Sequence, residues 1–279
     1  MPSREGAADD NMPSRKQNID YHSPRRGGKI DEGVRGREHP TVGEAVGRLD
    51  LALVMPAYNE GECIAGVVET WLEVLSKEDL SFRLMVLNDG STDDTAQALA
   101  GFDENADVEV INKPNSGHGP TILTGYARAV ELADWVFQCD SDDEISASYF
   151  PELWSRREKY DALLGCRSLR AQPLARRLIS WFSRATVRVL CGKGVEDVNV
   201  PYRLIRSSLL KRAIEPLPPD LFAPNVIISG ALCRAGVRIY NLPVRWEFRR
   251  TGTVSIARWK LLKSAFRAFR QTVRYRPRI

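Results

Sequence analysis

Residues 134–145 read DWVFQCDSDDEI. An apolar run of strand length breaks off into Asp140, Asp142, Asp143 and Glu144, and the break points to both an architecture and a chemistry. A strand that stops in Asp-x-Asp sets two like charges side by side. At about 4 Å they repel by on the order of 4 kcal/mol at an effective dielectric of 20. A divalent cation removes that repulsion, and Mg2+ or Mn2+ takes one or two carboxylates while phosphate oxygens and water complete its shell. Asp140 and Asp142 are therefore the candidate metal ligands and catalytic carboxylates. The competing reading is a solvated acidic loop or a helix cap.

Working outward, three further stretches have the same grammar. LALVMPAYNE at 51–60 is an apolar run followed by an amphipathic segment from about 60 to 76. FRLMVLN at 82–88 runs into Asp89-Gly90-Ser91, with Ser91 or Thr92 expected to cap a helix and Asp93 and Asp94 in its first turn. VEVIN at 108–112 leads into SGHGPTILTGY, where Pro120 suits a first helical turn. Strand-length runs alternating with helix-length stretches indicate stacked βα units around a mostly parallel sheet. Ligands of such sheets bind beyond the carboxyl ends of the strands. Pro56 to Glu60, Asp89, Ser116 to Gly119 and Asp140 to Glu144 are thus expected to line one crevice.

The chain has 279 residues and a formal net charge of +4, which conceals two opposed halves. Asp50 to Asp161 holds 7 Lys and Arg against 23 Asp and Glu, a net of −16. Cys166 to Ile279 holds 24 against 5, a net of +19. An acidic half can hold a cation while a basic half faces an anion such as diphosphate, lipid phosphate or nucleic acid. Residues 1 to 47 mix Pro, Gly, Ser and both charge signs with few large apolar residues, which predicts a disordered tail. No run reaches the roughly 18 apolar residues of a membrane span, and the charged start carries no export signal. Five cysteines without CxxC spacing argue against a disulfide framework or zinc site and for a reducing compartment, with all five packed inside.

VMPAYNE, VLNDGSTDDT, NSGHGPTILTGY and QCDSDDEI, in this order and spacing, resemble the family 2 glycosyltransferases of GT-A fold. The later GVEDVNVPYRLIRSSLL and LPVRWEFRRTGTVS are similar to segments of the dolichol- or polyprenol-phosphate sugar synthases. The resemblance covers about residues 50 to 255 and implies a Rossmann-like, mostly parallel sheet flanked by helices in one catalytic domain over 48–255. It implies metal-dependent inverting transfer of a hexose from a nucleotide-diphosphate sugar to a polyprenyl phosphate. By the same resemblance Ala57, Tyr58 and Glu60 with Asp89 contact the nucleoside, Pro56 and Gly117 line the donor site, and Asp140 and Asp142 hold Mg2+ or Mn2+. Glu144 stands where relatives often carry a Gln that completes the metal shell, so the resemblance implies a carboxylate in that place here, as a third metal-site residue. Pro201-Tyr202-Arg203 departs from the usual Ser-Gly before the aromatic residue, although Arg203 still matches a residue expected to reach phosphate.

His22 and His39 fall in the expected tail, which leaves His118 in the glycine loop, either touching phosphate or sugar or capping the loop. Base candidates are therefore mainly carboxylates, with Asp197 first and a structural hydrogen bond as its rival role. This scarcity suits an acceptor phosphate, already anionic at neutral pH. Arg249 and Arg250 beside Thr251-Gly252 form a basic turn suited to clamp a phosphate, with salt bridging as the rival. PLARRLISWFSRATVRVL at 173–190 is basic and amphipathic, as is the C-terminal segment 256–279, where Trp259, Leu262, Phe266, Phe269 and Val273 form one helical stripe. Such a helix can lie in a bilayer interface. The expectation is peripheral attachment to the cytoplasmic face of a membrane, with room for a membrane-anchored partner subunit. Core packing is the alternative for both stretches. A family 2 transferase acting on a glycan or small hydroxylated acceptor is the second reading. A nucleic-acid-binding protein is a third that leaves the carboxylate loop unexplained, so no nucleic-acid partner is expected.

Overall fold

The computed structural model describes residues 47–167, 185, 188, 192, 194–245 and 270–275. The expected tail, Arg249 and Arg250, the bulk of 173–190 and the C-terminal segment before Arg270 lie outside the described residues.

Three βα steps and a fourth strand build the first half. β1 (Leu49–Ala57) leads to α1 (Ile64–Ser76), β2 (Phe82–Asp89) to α2 (Thr95–Ala100), β3 (Val108–Lys113) to α3 (His118–Leu132), and α3 runs directly into β4 (Ala133–Cys139). In α1 the buried residues Ile64, Val67, Val68, Trp71 and Leu75 recur at helical spacing and form one apolar stripe. The helix begins later than the sequence pattern indicates, because residues 60–63 form a turn in which Cys63 N and Ile64 N both donate to Glu60 O.

The expected cap of α2 also moves. The helix starts at Thr95, preceded by Asp94 with no side-chain cap. Ser91 and Thr92 are engaged elsewhere: Asn59 N donates to Ser91 Oγ at 3.0 Å, and Thr92 N donates to Asn59 Oδ1 at 2.8 Å. Asp93 accepts from Gly61 N and Thr95 N, both at 3.1 Å. The polar run that looked like a cap instead stitches the loop after β1 to the loop after β2. α3 follows expectation, with Pro120 in its first turn.

The second half continues through a short 3-10 turn at Ala147–Tyr149, α4 (Phe150–Arg156), β5 (Ala162–Arg167), β6 (Tyr202–Arg206), α5 (Ser207–Ile214), α6 (Pro224–Ala235) and β7 (Ile239–Val244). Seven strands form one sheet in the order β3-β2-β1-β4-β6-β5-β7. The β1–β2, β2–β3, β1–β4 and β5–β7 pairs are parallel; β6 runs antiparallel to β4 and to β5. This is the mixed α/β, mostly parallel sheet flanked by helices that the sequence indicates.

Both faces of the sheet are covered. Trp71 of α1 packs with Phe137, Tyr202 and Phe150 in one aromatic cluster at ring separations of 4.8 to 6.1 Å. The residues next to Leu53 and Phe137, Val54 and Gln138, point to the other face, since side chains alternate along a strand. There α3 lies so close that a Cβ on Gly125 would stand 2.4 Å from Val54 Cγ1. After β3 the chain returns through α3 to β4 on the opposite side of β1. The strand order therefore reverses between β1 and β4, where an open sheet leaves a crevice at its carboxyl edge. Among the described residues no helix is long and apolar enough to cross a membrane.

Candidate active site

A cavity of about 390 Å3 opens at that reversal point. Pro56, Ala57, Tyr58 and Glu60 line it from the end of β1, Asp89 from β2, Gly117 and His118 from the start of α3, and Asp140, Ser141 and Asp142 from the end of β4. Asn115 and Thr121 complete it; the sequence pattern did not single them out. Four segments up to 86 positions apart thus converge because parallel strands end on one edge. Glu144, Asp197 and Arg203 are not among the lining residues.

Asp89 sits at the floor of one end, with a side chain only 5% exposed. Lys113 Nζ pairs with it. Ser116 N donates to its Oδ1 at 2.9 Å and Gly117 N to its Oδ2 at 2.8 Å. Burial pushes this carboxyl up, but the Lys113 bond and the donors on the 116–121 segment outweigh it and hold Asp89 below the usual carboxylate range. The turn after Asp89 requires glycine. Gly90 has φ +65°, and a Cβ there would stand 2.6 Å from Asn115 N.

The other end is electrostatically opposite. Asp140 is pushed up to about 6, first by burial and then by Asp142 and Glu144, with His118 and Arg167 opposing. Gln138 Nε2 donates to Asp140 Oδ1 at 3.1 Å, and His118 Nε2 lies 3.8 Å from the same oxygen. Asp142 Oδ1 accepts from Glu144 N at 3.2 Å. That turn is closed by Asp143 in the left-handed region at φ 52°. His118 opens a 15-residue helix, so the positive end of the α3 dipole meets this cleft.

Among the described residues no group of three His, Cys, Asp or Glu could hold an ion unaided. Glu144 N donates to Asp142 Oδ1, and the Glu144 carboxylate lies near enough to help raise Asp140. Two carboxylates nevertheless suit Mg2+ or Mn2+ taken up together with a diphosphate, whose oxygens supply the remaining places. The uncompensated charge at Asp140 is what such an ion would relieve.

Asp197 and Arg203 are committed to internal bonds. Arg167 clamps Asp197 in a two-pronged ion pair, Nε to Oδ2 at 2.7 Å and Nη2 to Oδ1 at 3.2 Å. To act as a base, Asp197 would have to leave that pair. Arg203 is 1% exposed and donates to the carbonyls of Val200, Asn225 and Val198. A phosphate contact would need it to leave those carbonyls. Of the described cysteines, Cys139 is buried and Cys63, Cys166 and Cys233 are half-buried, a looser packing than expected.

With this geometry in place, comparison with known proteins decides the family. Residues 52–212, more than half of the chain, match Glycosyl transferase family 2. The chain belongs to that family. This family 2 glycosyltransferase is 26% identical over 203 residues to the undecaprenyl-phosphate 4-deoxy-4-formamido-L-arabinose transferase of Pectobacterium atrosepticum, covering 71% of this chain and 61% of that one. It therefore spans about three-fifths of that relative's length. It is 22% identical to the undecaprenyl-phosphate mannosyltransferase of Micrococcus luteus, covering 75% of this chain and 93% of that one. It is also 22% identical to the dolichyl-phosphate beta-glucosyltransferase of Dictyostelium discoideum, covering 76% and 72%. Among solved structures it is similar to the Mycobacterium tuberculosis glucosyl-3-phosphoglycerate synthase in complex with UDP, with TM-score 0.60, 18% identity, and coverage of 85% and 86%. A second structure of that synthase, with Mn2+, UDP-glucose and glycerol 3-phosphate, gives TM-score 0.58 at 20% identity and coverage of 86% and 84%. The fold of this family 2 glycosyltransferase is GT-A.

Proposed function

We propose that this glycosyltransferase moves a hexose from a nucleotide-diphosphate sugar to a polyprenyl phosphate, with inversion. The observation that carries this reading is the convergence of Tyr58 and Asp89 with Asp140 and Asp142 in one cleft at the strand ends. Tyr58 is 48% exposed although aromatic, which leaves a ring face open for a nucleoside. Asp89, fixed by Lys113 and two backbone donors, presents a charged acceptor that needs no rearrangement to bind a nucleoside hydroxyl. Pro56, Ala57 and Glu60 shape the same end. Gly117 and His118 at the α3 N-terminus face the region where diphosphate charge would lie.

Asp140 and Asp142 would hold Mg2+ or Mn2+, with Glu144 adjoining through the loop. When bound, the ion supplies charge neutralisation at the leaving diphosphate. The acceptor phosphate needs no base, which accords with Asp197 being tied to Arg167. Arg249 and Arg250 are the proposed acceptor-side cations. Attachment to the cytoplasmic face of a membrane would use the basic C-terminal segment, where Arg270, Val273 and Arg274 are exposed. An anchored partner subunit is compatible with this arrangement.

The test incubates the enzyme, Mn2+ and GDP-, UDP- or dTDP-sugars with polyprenyl phosphate or free sugars. A lipid-linked product that resists mild base and forms only with polyprenyl phosphate is expected. A product on free sugars alone would replace this reading with the glycan-acceptor one. Arg270→Glu with Arg274→Glu should weaken binding to anionic vesicles while leaving donor binding intact, and unchanged vesicle binding removes the membrane proposal.

A further inference from the structure

Beneath the cleft, on the α3 side of the sheet, lies a buried chain of polar side chains that the reaction as described does not use. Gln138 is wholly buried in β4, Tyr126 of α3 is 1% exposed and Asn225 of α6 is 3% exposed. Tyr126 Oη donates to Asn225 Oδ1 at 3.0 Å. Asn225 Nδ2 donates to Gln138 Oε1 at 3.0 Å. Gln138 Nε2 then donates to Asp140 Oδ1.

The direction of this chain is forced. The ionised Asp140 carboxylate can only accept, so Gln138 must turn its amide N–H outward to it and its oxygen inward, where that oxygen accepts from Asn225 Nδ2 at 3.0 Å and lies 3.4 Å from the Tyr126 hydroxyl. The reversed amide would set oxygen against the Asp140 carboxylate and N–H against N–H. Leaving such groups unpaired in the interior costs more than a bond is worth when formed, so one orientation is held. Asn225 is itself anchored. Arg203, the cross-strand partner of Gln138, donates Nη1 to Asn225 O at 3.2 Å and Nη2 to Ser229 Oγ at 3.5 Å.

We infer that Gln138 is a positioning residue: the Tyr126–Asn225–Gln138 chain, clamped by Arg203, pins one oxygen of Asp140 so that its carboxylate meets the incoming metal and diphosphate in a fixed orientation. The inference rests on the donor-site role proposed above for Asp140. Gln138 touches neither substrate nor metal and acts through Asp140 alone. It also gives Arg203 a function that needs no contact with phosphate.

The experiment is a double-mutant cycle read by isothermal titration with Mn2+ and whichever of UDP, GDP or dTDP binds the wild-type chain. Gln138→Met keeps the side-chain length and removes the amide. It should weaken Mn2+-dependent nucleotide binding by about 10- to 100-fold, the usual effect of losing a partner of a metal ligand. Nucleotide binding without metal should be unchanged. In an Asp140→Asn background the same substitution should add less than about twofold, because coupled residues are non-additive. An equal loss with and without Mn2+, or an equal loss in both backgrounds, overturns the inference and makes Gln138 a core residue. If Gln138→Met does not fold, Tyr126→Phe, which removes one oxygen, enters the same cycle, and a non-additive loss is again required. If Asp140→Asn itself leaves Mn2+-dependent binding intact, the donor-site reading falls and this inference with it. If Asp140→Asn weakens it measurably while Gln138→Met and Tyr126→Phe do not couple to it, only the inference falls.

Discussion

Asp89 at the end of β2 and Asp140 just after β4, the two strands that flank β1, line one cleft, yet their surroundings are opposite. Asp89 has a cation, Lys113, and two backbone donors; its charge is satisfied before any ligand arrives. Asp140 has one amide, a histidine at 3.8 Å and the more distant charge of Arg167, set against burial and further carboxylates nearby. The contrast separates two tasks. In the proposed reading a rigid, pre-satisfied group would recognise the nucleoside, and a carboxylate whose charge is costly in the free protein would recruit the cation.

The sharpest way to break this contrast is to remove charge at the uncompensated end. Asp142→Ala should cut transfer at least about 1000-fold, since several kcal/mol of leaving-group stabilisation depend on it. Circular dichroism should show an unchanged fold, and retained turnover in a radiolabelled sugar assay would refute the metal assignment. Next comes Asp89→Ala, which strands a largely buried Lys113. Urea unfolding should show a loss of about 3 kcal/mol, far more than Asp142→Ala costs, and donor binding should fall with it.

The pH dependence sharpens the same comparison by its sign. Asp89 has a lowered pKa when folded, so its stabilisation is complete above the ordinary carboxylate value of 3.8 and disappears as pH falls through the lowered value. Asp140, raised to about 6, does the reverse. Stability declines as pH rises from 3.8 through about 6, and the penalty is complete above that. Asp140→Asn should therefore stabilise the ligand-free protein by about 2 kcal/mol at pH 8 and by almost nothing below pH 3.8, while abolishing transfer. Thermal unfolding across pH reads this directly, and a destabilised variant at pH 8 would show that Asp140 is already compensated. The smallest effect is expected at Tyr58. Tyr58→Ala should weaken nucleotide binding by about 1 kcal/mol, the worth of one aromatic contact, without moving the melting temperature.

How much of this was legible in the residues follows from how local each signal is. The strand runs, the carboxyl-edge crevice and Pro120 in the first turn of α3 depend on near neighbours in sequence, and each was readable. The capping role expected of Ser91 and Thr92 failed because their partner, Asn59, is 32 and 33 positions away. The left-handed conformation of Asp143, at φ 52°, is likewise something that nothing in an Asp-Asp-Glu run announces. Gln138 stood in plain view as a polar residue in an apolar strand. Its partners Tyr126 and Asn225 were invisible, since helices separated by almost 100 positions deliver them.

By itself the amino-acid sequence determined the alternation of strands and helices, the family and the edge on which chemistry-bearing loops collect, because those follow from hydrophobic periodicity and short motifs. Only the tertiary structure decided which carboxylates are already paired and which are held in reserve. It assigned Asp89 to Lys113, Asp197 to Arg167 and Asp140 to Gln138. The state of an ionisable group is set by burial and by partners brought in from distant positions, and those exist only once the sheet has closed around them.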